Sequence, residues 1–261
     1  GPWIDGISIS KGTGSVTNGY ESLTGQINVA MRNPENAEPL HINLYGSGDG
    51  KFEWNHISQH NIDRRWSTAI LSHSEIATRL NDRNGDSFLD TPLKRDIVLR
   101  NEWKYRGDRG VRGEYSISAV ILQHMAGQKG AFTNSTADPF VILEDLLAND
   151  NDSLWTAATK IKRVEASAKT GYVFPRQEWK SIGSQFFVSR HEHKHKFGNR
   201  EYLGTENFFR GNVLFSSIIG STDHKFTTGA SILYDDFNEV GTWAASSNVW
   251  DAASDTMSRT E

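Results

Sequence analysis

Cysteine is absent from the 261 residues, which removes disulfide frameworks and thiolate metal centres from consideration. No run approaches the roughly eighteen consecutive apolar residues that a membrane-crossing helix needs, so a helical membrane protein is excluded. Neither sign of charge dominates: 28 Lys and Arg against 32 Asp and Glu leave a net charge of -4. That mild acidity weighs against a nucleic-acid partner. The opening Gly1-Pro2-Trp3-Ile4-Asp5 has no basic region followed by an apolar stretch, so it is not a signal peptide, and a targeting signal of an exported form would lie upstream. His, Ser and Asp are plentiful, yet none sits in a nucleophile–base constellation, and no enzymatic activity is expected.

What is there is 36% hydrophobic and 23% charged, with a mean hydropathy of -0.56. Such figures suit a soluble globular protein. They also suit a transmembrane β-barrel, in which lipid-facing and lumen-facing residues alternate and keep the average low. Two all-β readings therefore stay open.

The first thirty-odd residues differ from the rest. Ile7 and Ile9 alternate with Ser8 and Ser10 as in a short strand. A glycine-spaced loop, Lys11-Gly12-Thr13-Gly14-Ser15-Val16-Thr17-Asn18-Gly19-Tyr20, leads to a second strand, Gly25-Gln26-Ile27-Asn28-Val29-Ala30-Met31. Asn33-Pro34-Glu35-Asn36-Ala37-Glu38-Pro39 reads as a proline-bounded linker. From Leu40 onward, amphipathic segments alternate with polar connections. Strands are expected near 40–47, 51–60, 66–76, 96–106, 111–123, 161–174, 180–195, 207–219 and 225–236. The connections near 61–65, 107–110, 175–179 and 220–224 are tight, whereas those near 77–95, 124–160 and 196–206 are long and rich in Asp, Asn, Gly and Thr. Loops sorted by length in this way, short at one end and long at the other, favour a barrel over a sandwich.

Alternation also assigns faces. Val111, Tyr115, Ile117, Ala119 and Ile121 oppose Arg112, Glu114, Ser116 and Ser118. Ile97, Leu99, Trp103 and Tyr105 oppose Arg100, Glu102 and Lys104, and Phe209, Val213, Phe215 and Ile219 oppose Arg210, Asn212 and Ser216. A soluble sheet with one wet face has the same period. Aromatic residues near strand ends, Trp54, Trp66, Trp103, Trp179, Phe209 and Phe226, suit interfacial girdles.

The stretch 7–16, then Asn18-Gly19-Tyr20-Glu21-Ser22, then Gly25-Gln26-Ile27-Asn28-Val29, resembles the end of the plug domain in TonB-dependent outer-membrane receptors, in a form similar to Bacteroidetes-type members. The resemblance implies three regions: residues 1–33 as the C-terminal part of a plug, 34–39 as a linker, and 40–261 as the N-terminal part of an antiparallel transmembrane β-barrel. It makes Lys11, Gly12, Gly14, Gly19, Gly25 and Asn28 the plug-motif residues, where glycines supply positive φ and close backbone approach. It implies active uptake of a scarce solute across the bacterial outer membrane: a ferric siderophore or other metal chelate, less readily cobalamin or a glycan. The implied partners are the TonB energy-coupling complex, outer-membrane lipid and the small-molecule ligand. No cofactor is required. Tight turns would face the periplasm and long loops the outside.

Two stretches then fall on the outside. In Asp82-Arg83-Asn84-Gly85-Asp86-Ser87-Phe88-Leu89-Asp90 the oxygen-bearing Asp82, Asn84, Asp86 and Asp90 match the 1, 3, 5, 9 spacing of a calcium loop. Ser87 takes the usual glycine position and Lys94 the place of the closing glutamate. In Arg190-His191-Glu192-His193-Lys194-His195 the imidazoles of His191, His193 and His195 share one strand face, a ligand type suited to zinc, copper, iron or nickel. Alternate residues lie nearly 7 Å apart along a strand, too far for all three to ligate one ion unless the strand frays.

Nine strands cannot close a plugged barrel of about 22, so the sequence reads as a portion of a larger barrel, continued at both ends. The rival reading is a soluble or cell-surface all-β ligand-binding domain without transport. A passive porin would lack the segment 7–31.

Overall fold

The computed structural model describes residues 3–14, 24–35, 38–133, 139–148, 154–243 and 255–260. It is all-β in its main lines. An antiparallel hairpin comes first, β1 (Ile4–Lys11) and β2 (Gly25–Met31). Ten further strands follow: β3 (Leu40–Gly46), β4 (Lys51–Asn61), β5 (Trp66–Ala77), β6 (Leu93–Arg106), β7 (Val111–Gly127), β8 (Thr156–Phe174), β9 (Gln177–Phe197), β10 (Arg200–Ile219), β11 (Ser221–Trp243) and β12 (Asp255–Thr260). They form one sheet in chain order, each antiparallel to the next, with β3 and β12 at its two edges. Among the described residues the sheet is open. The tenth strand of this sheet, β12, lies beyond 225–236, the last strand expected from alternation.

Register carries the alternation of each strand across the whole sheet. Ala69, Glu102, Ser116, Ser167, Phe187 and Arg210 stand side by side in one row. The row one residue further along is Ile70, Asn101, Ile117, Ala166, Val188 and Phe209. A slip of one residue would exchange every side chain between faces. The first face is polar and looks at the β1–β2 hairpin. There Trp3, just before β1, packs on the buried Ile57, Ala69 and Leu71 and meets His73 edge-on, with ring centroids 6.3 Å apart. The second face is apolar and open: Ile42, Leu44, Trp54, Ile70, Leu99, Ile117, Val164, Val188, Val213 and Ile232 are all exposed on it.

The turns at one end are uniformly short. Gly110 has φ +79, and a Cβ there would lie 2.3 Å from the Val173 carbonyl oxygen, so only glycine lets β7 and β8 approach at that turn. Asp63 Oδ1 accepts from the backbone N–H groups of Arg65 and Trp66, at 2.7 and 2.8 Å, and holds the turn before β5.

At the other end two expectations need correction. The stretch 196–206 is no long loop: β9 and β10 run on to a tight turn at 198–199, with Gly198 at φ +60. Gly241-Thr242-Trp243 likewise continue β11 and pair with 200–202. Pairing is made by backbone groups and so continues past the last apolar side chain of either strand. The stretch 124–160 is also more than polar loop. Single turns of 3₁₀-helix at Lys129–Phe132 and Pro139–Ile142 lead into helix α1 (Leu143–Ala148). Leu143, Leu146 and Leu147, at the i, i+3, i+4 spacing of an apolar helix face, close a core with Phe132, Phe140, Leu93, Met125 and Ala158. Because Leu93, Met125 and Ala158 have the parity of the apolar face, this lobe caps that face at the end away from the short turns.

Candidate ligand-binding face

The hairpin and the sheet enclose a cleft of about 660 Å³, walled by Asn28 and Arg32 on the hairpin side and by Arg100, Glu102, Lys104, Glu114, Gln185 and Asn212 among others on the sheet side. Its floor is a charge network. Arg100 donates from Nε to Glu102 Oε1 at 2.8 Å, from Nη1 to Glu165 Oε1 at 3.3 Å and from Nη2 to Ser116 Oγ at 3.0 Å. Ser118 Oγ donates to the same Glu165 oxygen at 3.0 Å, and Ser116 Oγ shares a 2.7 Å hydrogen bond with Ser167 Oγ. One guanidinium thus joins two carboxylates and a hydroxyl across three strands, a geometry that a point-charge lysine cannot reproduce. The linker is tied in by an ion pair between Arg106 and Glu35 at 2.8 Å.

Of the glycine-loop residues, Lys11 and Gly25 face each other at the loop end of the hairpin. Gly12, at φ +94, donates its N–H to the Thr24 carbonyl at 3.0 Å. A Cβ on Gly25 would fall 2.8 Å from the Ser10 carbonyl oxygen. Lys11, Gly12 and Gly14 are exposed and away from the cleft lining, while Asn28 is part of it. Gly19 lies outside the described residues.

The three histidines do converge. Their ring centroids are 5.3 Å apart between His191 and His193 and 5.2 Å between His193 and His195, closer than backbone spacing because the rings lean together. His193 stacks on Tyr202 at 5.1 Å and 16° and fills the space left by Gly204 on β10, where a Cβ would lie 2.0 Å from its Nε2. His195 Nδ1 is 3.1 Å from Thr159 Oγ1. His191 Nδ1 and His193 Nε2 are buried and lack a hydrogen-bond partner. On the opposite face of β9 the exposed apolar residues of the band end at Val188, and Arg190, Glu192 and Lys194 follow, so the histidines sit beyond that band. Burial first, then the neighbouring His195 and His191, depress the His193 pKa below its usual value. Burial, then His191, does the same to His195. Tyr202 donates to Glu239, and that carboxylate, aided by burial, pushes the phenol up to about 12.

The loop of Asp82, Asn84, Asp86 and Asp90 directs its oxygens at its own amides. Gly85 N–H donates to Asp82 Oδ1 at 2.9 Å, Phe88 N–H to Asp86 Oδ1 at 2.8 Å and Arg83 N–H to Asp90 Oδ2 at 2.7 Å. Asn84 Nδ2 donates to Asp86 Oδ2 at 2.9 Å. Ser87 adopts φ +71, the left-handed conformation for which the calcium pattern uses glycine. Counted from Asp82, the closing twelfth position is Leu93 rather than Lys94, and Leu93 is wholly buried in the lobe core. Among the described residues no three His, Asp or Glu side chains are grouped so as to hold a metal ion.

Comparison with known proteins finds no matching family model, no similar curated protein and no similar solved structure. Two features escaped the sequence reading. The Arg100 network has a trace in the polar parity of Arg100, Glu102, Ser116 and Glu165, but its register is invisible in one strand. The Tyr202–Glu239 bond joins residues 37 apart, and no local pattern points to it.

Proposed function

We propose that this chain forms part of the wall of a TonB-dependent outer-membrane receptor, with the hairpin as the last portion of its plug. Active uptake of a scarce solute is the corresponding function, with a metal chelate such as a ferric siderophore preferred over cobalamin or a glycan. The observation that carries the reading is the division of faces: nine neighbouring strands expose apolar side chains on one side and turn a polar, charged side toward the N-terminal hairpin. In water an exposed apolar surface of that breadth is an association hazard; in lipid it is the required surface.

Two details support the orientation. The rings of Tyr105 and Tyr115 lie over Gly107 and Gly113, toward the short turns, with the Tyr115 hydroxyl 2.6 Å from where a Gly113 Cβ would be. Tyrosines at a membrane boundary direct their polar tips to the aqueous side in this way. At the other end, the partly buried row of His191, His193 and His195 is the site assigned to ligand capture, and the cleft beside Asn28 and Arg100 is the onward path. No enzymatic step is assigned. Calcium at Asp82, Asn84, Asp86 and Asp90 would compete with the amide hydrogen bonds already made there.

Fractionation tests the reading. The protein should remain in outer membranes through carbonate and urea washes, and uptake should require the energy-coupling complex. Replacing His191, His193 and His195 together by alanine should reduce uptake. Release into the wash would favour a soluble or cell-surface binding domain instead.

A further inference from the structure

A second site lies on the apolar face, at the short-turn end. Ile62, Trp66, Trp103 and Tyr115 wall an apolar groove of about 460 Å³. The aromatic walls support one another: Trp66 is 6.3 Å from Trp103, 4.9 Å from Tyr105 and 6.0 Å from Tyr115, centroid to centroid. The two turns beside the groove are basic. Residues 61–65 and 106–112 hold five Arg against two Asp, and both acids are engaged. Asp63 caps its turn, and Asp108 pairs with Arg65, whose guanidinium also reaches the Tyr105 hydroxyl. Arg64 and Arg109 are exposed and form no ion pair among the described residues.

We infer that this groove seats an anionic glycerophospholipid, one acyl chain between Trp66, Trp103 and Tyr115 and the phosphate on Arg64 and Arg109. The inference rests on the membrane-spanning reading and adds to it a lipid class, a residue set and a leaflet, the one at the short turns. Charge complementarity selects the occupant. A neutral headgroup leaves the two free guanidinium groups unmatched, and a soluble anion leaves the groove empty.

The test reconstitutes the protein in vesicles of phosphatidylcholine carrying a small, equal fraction of either phosphatidylglycerol or phosphatidylcholine with brominated acyl chains, which quench tryptophan on contact. Brominated phosphatidylglycerol should quench more at equal mole fraction, with a preference of about fivefold for each free arginine. The preference should fall in 0.5 M salt, as about 3–5 Å screening lengths require, and vanish in R64Q/R109Q while flotation with vesicles is unchanged. Equal quenching by both lipids in protein that floats would overturn the lipid site and leave the membrane reading intact. So would a preference that survives R64Q/R109Q, or one that millimolar inorganic phosphate abolishes. Failure to float with any vesicle would overturn both.

Discussion

Ile117 offers the sharpest separation of membrane wall from soluble sheet. Its side chain is 55% exposed on the apolar face, and its row neighbours are Asn101 and Ala166. It stands six residues into β7 from Val111. At a rise of about 3.4 Å per residue and a tilt near 40°, it lies roughly 15 Å above the short turns, close to the middle of an apolar band about 25 Å tall. Arginine at that depth of a barrel costs about 2–4 kcal/mol. The same substitution on an exposed strand in water changes stability by no more than about 0.5 kcal/mol. Urea unfolding of I117R in vesicles of uncharged lipid, followed by tryptophan fluorescence, reads the difference directly. Thr222→Arg, in the first turn of β11 where the expected cost is about 0–1 kcal/mol, is the matched control. If I117R and T222R unfold at the same urea concentration as the parent, the membrane wall is refuted.

Gly204→Ala should destabilise by about 1–2 kcal/mol, because its Cβ would evict the His193 ring from its stack on Tyr202. Adding His193→Ala should recover most of that loss in a double-mutant cycle. Arg100→Met should cost about 2–4 kcal/mol by leaving Glu102 uncompensated and Glu165 with Arg163 alone as its cation, measured by the same unfolding assay. Acidification gives a signed prediction. The folded pKa of His193 lies below the unfolded value near 6.5, so the unfolded chain binds the proton first. Stability is therefore full above pH 6.5, declines as pH falls from there to the folded pKa, and then levels off. His193→Gln should flatten that part of the pH–stability curve.

Much of the architecture was legible because a strand with one apolar and one polar face advertises its period locally. The nine strands from β3 to β11 stand where alternation put them, and the faces of 97–105, 111–121 and 209–219 match the observed parity. Strand ends were less legible. The halves of β9, β10 and β11 away from the short turns carry many Lys, Glu, Asn and Gly residues, so a hydrophobic pattern stops before the hydrogen-bond ladder does. The lobe around α1 was missed for a different reason: Phe140-Val141-Ile142-Leu143 is a short apolar run without strand alternation inside a polar stretch, and its partner in the core, Leu93, lies far back in the chain.

Residue type and alternation by themselves determined the β class, the two-faced strands, the short turns at one end and a row of imidazoles on one side of β9. Pairing and register belong to the tertiary structure. They decided that Arg100 reaches Glu165 across β7, that Gly204 rather than a larger residue stands opposite His193, and that Trp3 anchors the hairpin on Ile57, Ala69 and Leu71. The reason is physical: a period is written along one strand, whereas the neighbour of a side chain is fixed by the alignment of two strands and by the space that each leaves for the other.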